Sequence, residues 1–184
     1  MAMVVNGWDD AIDNNASKSV GAQVMLKPVD PLALYVNYIG GPENADDNHS
    51  VRQVLDLVGT LTVNPMFSLG VNADFGTESG TSLVTPGDDA TWNGVAGYAK
   101  ISTTSPFSLG LRAETFKDNG GTRLGIGEAR VNEFTVTPAF KFGSNFVVRA
   151  EGRYDASDSA PFVDDKGIAK KNQATIGLNA IWVY

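Results

Sequence analysis

Apolar and polar residues alternate along most of the chain, and helical spacing is nowhere convincing. A period of two marks strands with one apolar and one polar face. Over 67–76, Phe67, Leu69, Val71, Ala73 and Phe75 share one face, opposite Ser68, Gly70, Asn72, Asp74 and Gly76. Over 107–116, Phe107, Leu109, Leu111 and Ala113 oppose Ser108, Gly110, Arg112 and Glu114. Over 146–155, Phe146, Val148, Ala150 and Tyr154 oppose Arg149, Glu151, Arg153 and Asp155. The pattern predicts about ten strands, near 3–8, 18–28, 32–40, 51–63, 67–76, 91–102, 107–116, 131–142, 146–155 and 172–184. Such lengths suit a bilayer, which a tilted strand crosses in about 9–11 residues.

The connections alternate between two kinds. Short ones are built from turn formers: "VDP" (29–31), "NPM" (64–66), "TSP" (104–106) and "GSN" (143–145). Long polar ones run roughly over 9–17, 41–50, 77–90, 117–130 and 156–171. Strict alternation describes a meander with tight turns and both termini on one side and long loops on the other, the layout of outer-membrane barrels. Pro138 interrupts strand eight; having no N–H, it predicts a bulge or a lost ladder bond.

Charge sharpens the picture. The long loops hold 14 of the 21 acidic residues and 6 of the 14 basic ones, so the loop side is acidic. Most of the rest fall on polar strand faces: Arg52, Asp56, Asp74, Lys100, Arg112, Glu114, Glu133, Lys141, Arg149, Glu151 and Arg153. Opposite signs recur at i, i+2, as in Arg112 with Glu114 and in Arg149, Glu151 and Arg153. In a membrane barrel these residues would line the lumen, as a selectivity constriction or as a structural ladder of ion pairs. The apolar rows carry aromatics at their tight-turn ends, Phe67, Phe107, Phe142, Phe146, Trp182 and Tyr184, and Tyr38, Phe75 and Tyr154 near their loop ends. These are expected as girdles at the two interfaces. A soluble two-sheet sandwich would share the alternation but would have to hide its edge strands.

Composition excludes several classes. No apolar run of about 18 residues is present to cross a membrane as a helix, and the acidic balance argues against a nucleic-acid partner. Cysteine is absent, and Met1-Ala2-Met3 does not open a signal peptide. The one histidine, His49, stands beside Asp46 and Asp47. It would serve a loop-rim hydrolase by analogy with ten-stranded barrel proteases, or be a solvated loop residue. The pairs Asp9-Asp10, Asp46-Asp47, Asp88-Asp89 and Asp164-Asp165 lack the spacing of a calcium loop.

The stretches "VVNGWDDAIDNNASKSVGAQV" (4–24), "IGGPE" (39–43), "VLDLVGTLTVNP" (54–65), "WNGVAGYAKIS" (92–102), "LRAETFKDNGGTR" (111–123) and "VRAEGRYDAS" (148–157) resemble, in that order, the beta-barrel porin-2 (OmpL-like) family of bacterial outer-membrane proteins. Members of that family look longer and are expected to form barrels of around 16 strands, so the chain is similar to their C-terminal portion. The resemblance implies a porin without catalysis or cofactor.

The expected fold is thus one domain over 1–184, all-β, a closed antiparallel up-and-down transmembrane β-barrel of about ten strands. Tyr35, Trp92, Tyr98, Arg112, Arg149 and Arg153 are expected to point inward and largely plug it, since about eight strands leave an interior just filled by side chains. Three functions stand: passive diffusion of small solutes or ions, a non-conducting structural, truncated or engineered mini-barrel, and, last, the loop-rim hydrolase centred on His49. The expected partners are the lipid bilayer and the barrel-insertion machinery, the latter through the C-terminal strand. Closure is expected between "MVVNGW" and the last strand.

Overall fold

In the computed structural model, which describes residues 1–8, 12, 14–104 and 106–182, nearly every alternating stretch is a strand. The strands are β1 (Ala2–Val5), β2 (Ser19–Val29), β3 (Leu32–Pro42), β4 (Val51–Asn64), β5 (Phe67–Glu78), β6 (Ala90–Ser102), β7 (Phe107–Asp118), β8 (Ala129–Phe142), β9 (Phe146–Ser157), β10 (Phe162–Val163), β11 (Ala169–Lys170) and β12 (Asn172–Trp182). Ten form one antiparallel sheet in the order β1-β2-β3-β4-β5-β6-β7-β8-β9-β12, and β10 and β11 make a separate hairpin. That hairpin lies in what the sequence presents as a plain loop. Its turn is set by Asp164, whose side chain accepts from the N–H groups of Lys166 and Ile168, and by Gly167 at φ 74°.

The expected closed barrel is not formed. Among the described residues β1 pairs only with β2, and β12 only with β9. β1 is four residues long and lies opposite Ser19–Ala22, so it covers only the loop-side part of β2, against the eleven residues of β12. Where a strand 3–8 was expected, the strand ends at Val5, and the Trp8 N–H instead donates to Glu43 Oε2 at 3.1 Å. A seam between such unequal edges would leave most of β12 unmatched. Curvature is also short: among the described pairings the register shifts only at Leu26/Val29 and Thr62/Asn64, both near tight turns. Mid-strand bulges, which close sheets into narrow barrels, are lacking. β12 therefore stays open, with Ile176 90% and Leu178 82% exposed.

Pro138 has the second of its two expected effects. Its register with β7 is continuous (Leu109 opposite Pro138), but pairing with β9 lapses between Val136–Gly152 and Ala139–Arg149. The missing N–H falls on the β9 side, and no bulge forms.

Candidate functional site on the polar face

Directly paired residues in an antiparallel sheet share a face. Asp56 opposes Asp74, Tyr98 opposes Arg112, Glu114 opposes Glu133, and Glu133 opposes Asp155. Following this parity from strand to strand places Arg52, Asp56, Asp74, Lys100, Arg112, Glu114, Glu133, Lys141, Arg149, Glu151 and Arg153 on one face. Tyr35 and Trp92 fall there too. The opposite face carries half-exposed apolar side chains, among them Leu55, Leu57, Val71, Phe75 and Phe134.

Three charge groups can be distinguished along the polar face. At mid-height, acidic residues cross the sheet. Asp56 accepts from Asn37 Nδ2 at 2.5 Å and from Asn72 Nδ2, so amides solvate it. Arg112 bridges Glu114 and Glu133, the latter at 2.6 Å, and its guanidinium lies 5.8 Å from the Tyr98 ring centroid. Asp155, fully buried, accepts a forked pair from Arg153 (Nη2 at 2.8 Å, Nε at 2.9 Å) and a third bond from Gln173 Nε2 at 2.9 Å. Of the i, i+2 pairs anticipated, Arg112–Glu114 is made. Arg153 turns to Asp155, and Arg149 donates across the sheet to Asn179 Oδ1 at 3.2 Å.

The second group, at the loop rim, is not apparent from strand pattern. Buried Glu78 accepts from Arg52 Nη2 at 2.8 Å and from Arg123 Nη2 at 2.9 Å. Arg123 stacks 4.5 Å over the Trp92 ring, and Arg52 lies 5.8 Å from that of Trp8. The Trp92 indole lies against Gly76, where a Cβ would collide with it. Arg123 is carried by a loop with positive φ at Gly121, Gly125 and Gly127, conformations that favour glycine. Buried Asp118 anchors that loop by accepting from the N–H groups of Arg123 and Leu124, both at 2.8 Å. On the β2–β3 side, buried Ser19 donates to Glu43. The clue available in the sequence was acidic residues at strand ends beside "NGGTRLGIG" (119–127).

The third group, Lys100, Lys141, Arg149 and Glu151, lies toward the tight turns. There the aromatics gather on the apolar face: Phe140–Phe142, Phe142–Phe146 and Phe146–Trp182 have ring centroids 4.7, 6.0 and 5.9 Å apart. Phe67 and Phe107 occupy the same face, and Tyr184 lies outside the described residues. His49 is exposed, and it is its backbone N–H that meets Asp47 Oδ1, at 2.8 Å. The Ser50 hydroxyl, followed by backbone N–H groups of this kind, holds the Asp47 carboxyl below the usual aspartate range. Among the described residues no group of three His, Cys, Asp or Glu side chains is placed to hold a metal.

Long antiparallel strands with charge on one face and exposed apolar residues on the other define a porin-like β protein. The chain matches the family model "Putative beta-barrel porin-2, OmpL-like" over residues 1–183, and it belongs to that family, one of porins rather than of enzymes. No curated protein matches it.

Proposed function

We propose that this chain is a transmembrane wall of a porin-type outer-membrane protein, with lipid on its apolar face and water on its polar face, and that alone it does not conduct. The observation that carries this reading is the sorting of charge: all eleven polar-face residues named above share one side, while Leu55, Leu57, Val71, Phe134, Ile176 and Leu178 stand exposed on the other. In this reading Phe67, Phe107, Phe142, Phe146 and Trp182 sit at the interface on the tight-turn side, and the acidic loops lie on the opposite side. Passive diffusion of solutes or ions needs an enclosed lumen, and the open sheet has none. Backbone groups in hydrocarbon must be hydrogen-bonded, so the free edge of β12 requires a partner strand. Barrel-insertion machinery that receives a terminal strand fits that need.

The test is reconstitution. The refolded protein should partition into detergent and lipid vesicles, show β-sheet circular dichroism, and give no discrete current steps in a planar bilayer after insertion is confirmed. Steps of constant amplitude would sink the non-conducting reading. A folded monomer that stays soluble without detergent would sink the membrane reading.

A further inference from the structure

At the tight-turn end the polar face is hollowed into a cavity of about 560 Å³. Its lining comes from β6, β7, β8, β9, β12 and Pro106 of the β6–β7 turn, and three of its residues are cations, Lys100, Lys141 and Arg149. Among the described residues none of these three is ion-paired, whereas Arg52, Arg112 and Arg153 on the same face are each joined to a carboxylate. Arg149 has only the neutral Asn179 as an acceptor, at 3.2 Å. One carboxylate, Glu151, also lines the cavity, so the formal charge of its lining is +2. The floor is small: Gly110 lies directly across from Lys100, Thr137 lies across from Gly110, and Ala139 pairs with Arg149. Three strand spacings, roughly 14 Å, separate β6 from β9.

The three cations are solvent-exposed but line one cavity, so an anion seated there is attracted by all of them at once, and Ser108 and Thr137 add hydroxyl donors to the lining. We infer that this cavity is a binding site for a small multivalent oxyanion, a phosphate or carboxylate dianion, entering from the tight-turn side. The acidic loops at the other end repel the same ligand, which gives the polar face a direction. The inference rests on the proposed function only in taking this face to be open to water.

The test uses the detergent-folded chain and isothermal calorimetry, so it is independent of any current measurement. Inorganic phosphate and succinate, compared at a mildly alkaline pH where both are dianions, are the two probes; whichever binds more tightly identifies the oxyanion class. Saturable binding that weakens with added salt is expected. Lys100→Gln, Lys141→Gln and Arg149→Gln should each lower affinity by about two- to tenfold, and the triple variant should abolish binding. Lys166→Gln, in the loop at the far end, should leave affinity unchanged. Glu151→Gln should tighten binding, an outcome that misfolding cannot imitate. No saturable binding by the folded parent, equal binding by a folded triple variant, or weaker binding by a folded Glu151→Gln would each overturn the inference.

Discussion

Replacing Glu78 by alanine is expected to loosen the loop rim as a unit. Its carboxylate, 3% exposed, is shared by two guanidiniums at 2.8 and 2.9 Å, with Arg52 12% and Arg123 24% exposed. Removing one partner of a buried ion pair costs about 3–5 kcal/mol because the remaining charge loses compensation without regaining water. Arg123 keeps a quarter of its surface and its stack on Trp92, which places the expected loss near the lower bound, about 3 kcal/mol. Arg123→Ala leaves Glu78 with Arg52 and forfeits the stack, for a loss of about 2 kcal/mol. Because both changes break the same contact, the double variant should lose less than the sum, with a coupling of about 1 kcal/mol or more. Urea unfolding of the refolded protein, followed by tryptophan fluorescence, measures all three. Limited proteolysis should show cleavage within 119–128 accelerating in both single variants. A Glu78→Ala change under about 0.5 kcal/mol, or strictly additive effects, would refute the idea that this carboxylate locks the loop to the sheet.

Two further outcomes are expected. Arg153→Ala leaves Asp155 buried with Gln173 as its remaining side-chain donor, and should cost about 2 kcal/mol after allowance for the 40% exposure of the arginine. Hydrogen exchange should then quicken selectively in β12, and uniform protection across β9 and β12 would contradict this. Asp164 titrates below the ordinary aspartate value of 3.8, chiefly because the Ile168 N–H stabilises its charged form. A depressed folded pKa contributes stability that is present above the unfolded value and lost as pH falls through the folded one. The β10–β11 hairpin should therefore persist above pH 3.8 and loosen only below it. Amide shifts of Lys166 and Ile168 report this, and a transition centred at or above 3.8 would count against it.

The strands were legible because a period of two is written residue by residue, and tight turns such as "NPM" and "GSN" fix where each one reverses. Closure was not legible. It depends on curvature summed over the sheet and on the match between its first and last edges, and neither the early end of β1 at Val5 nor the scarcity of bulges shows in an alternating pattern. The β10–β11 hairpin was missed although "DDKG" (164–167) is a turn signal between "FV" and "IAK", because its strands are only two residues long. Parity placed the eleven charged residues on one face, while their partners remained hidden. Arg123 reaches Glu78 across 45 positions, and Arg153 selects Asp155 over the equally near Glu151.

Every hydrogen-bonded neighbour in the main sheet is also the next main-sheet strand along the chain, from β1 through β9 to β12. A sheet of this kind is extensible: adding or deleting one hairpin at either margin leaves all other pairings, and the face on which each side chain stands, untouched. Wall width is therefore a quantity that gene-level duplication can adjust in two-strand steps, whereas a Greek-key connection would forbid it. The two margins present complementary strand directions, so chains of this architecture can diversify in circumference while the Glu78 lock and the Arg112 ladder are inherited unchanged.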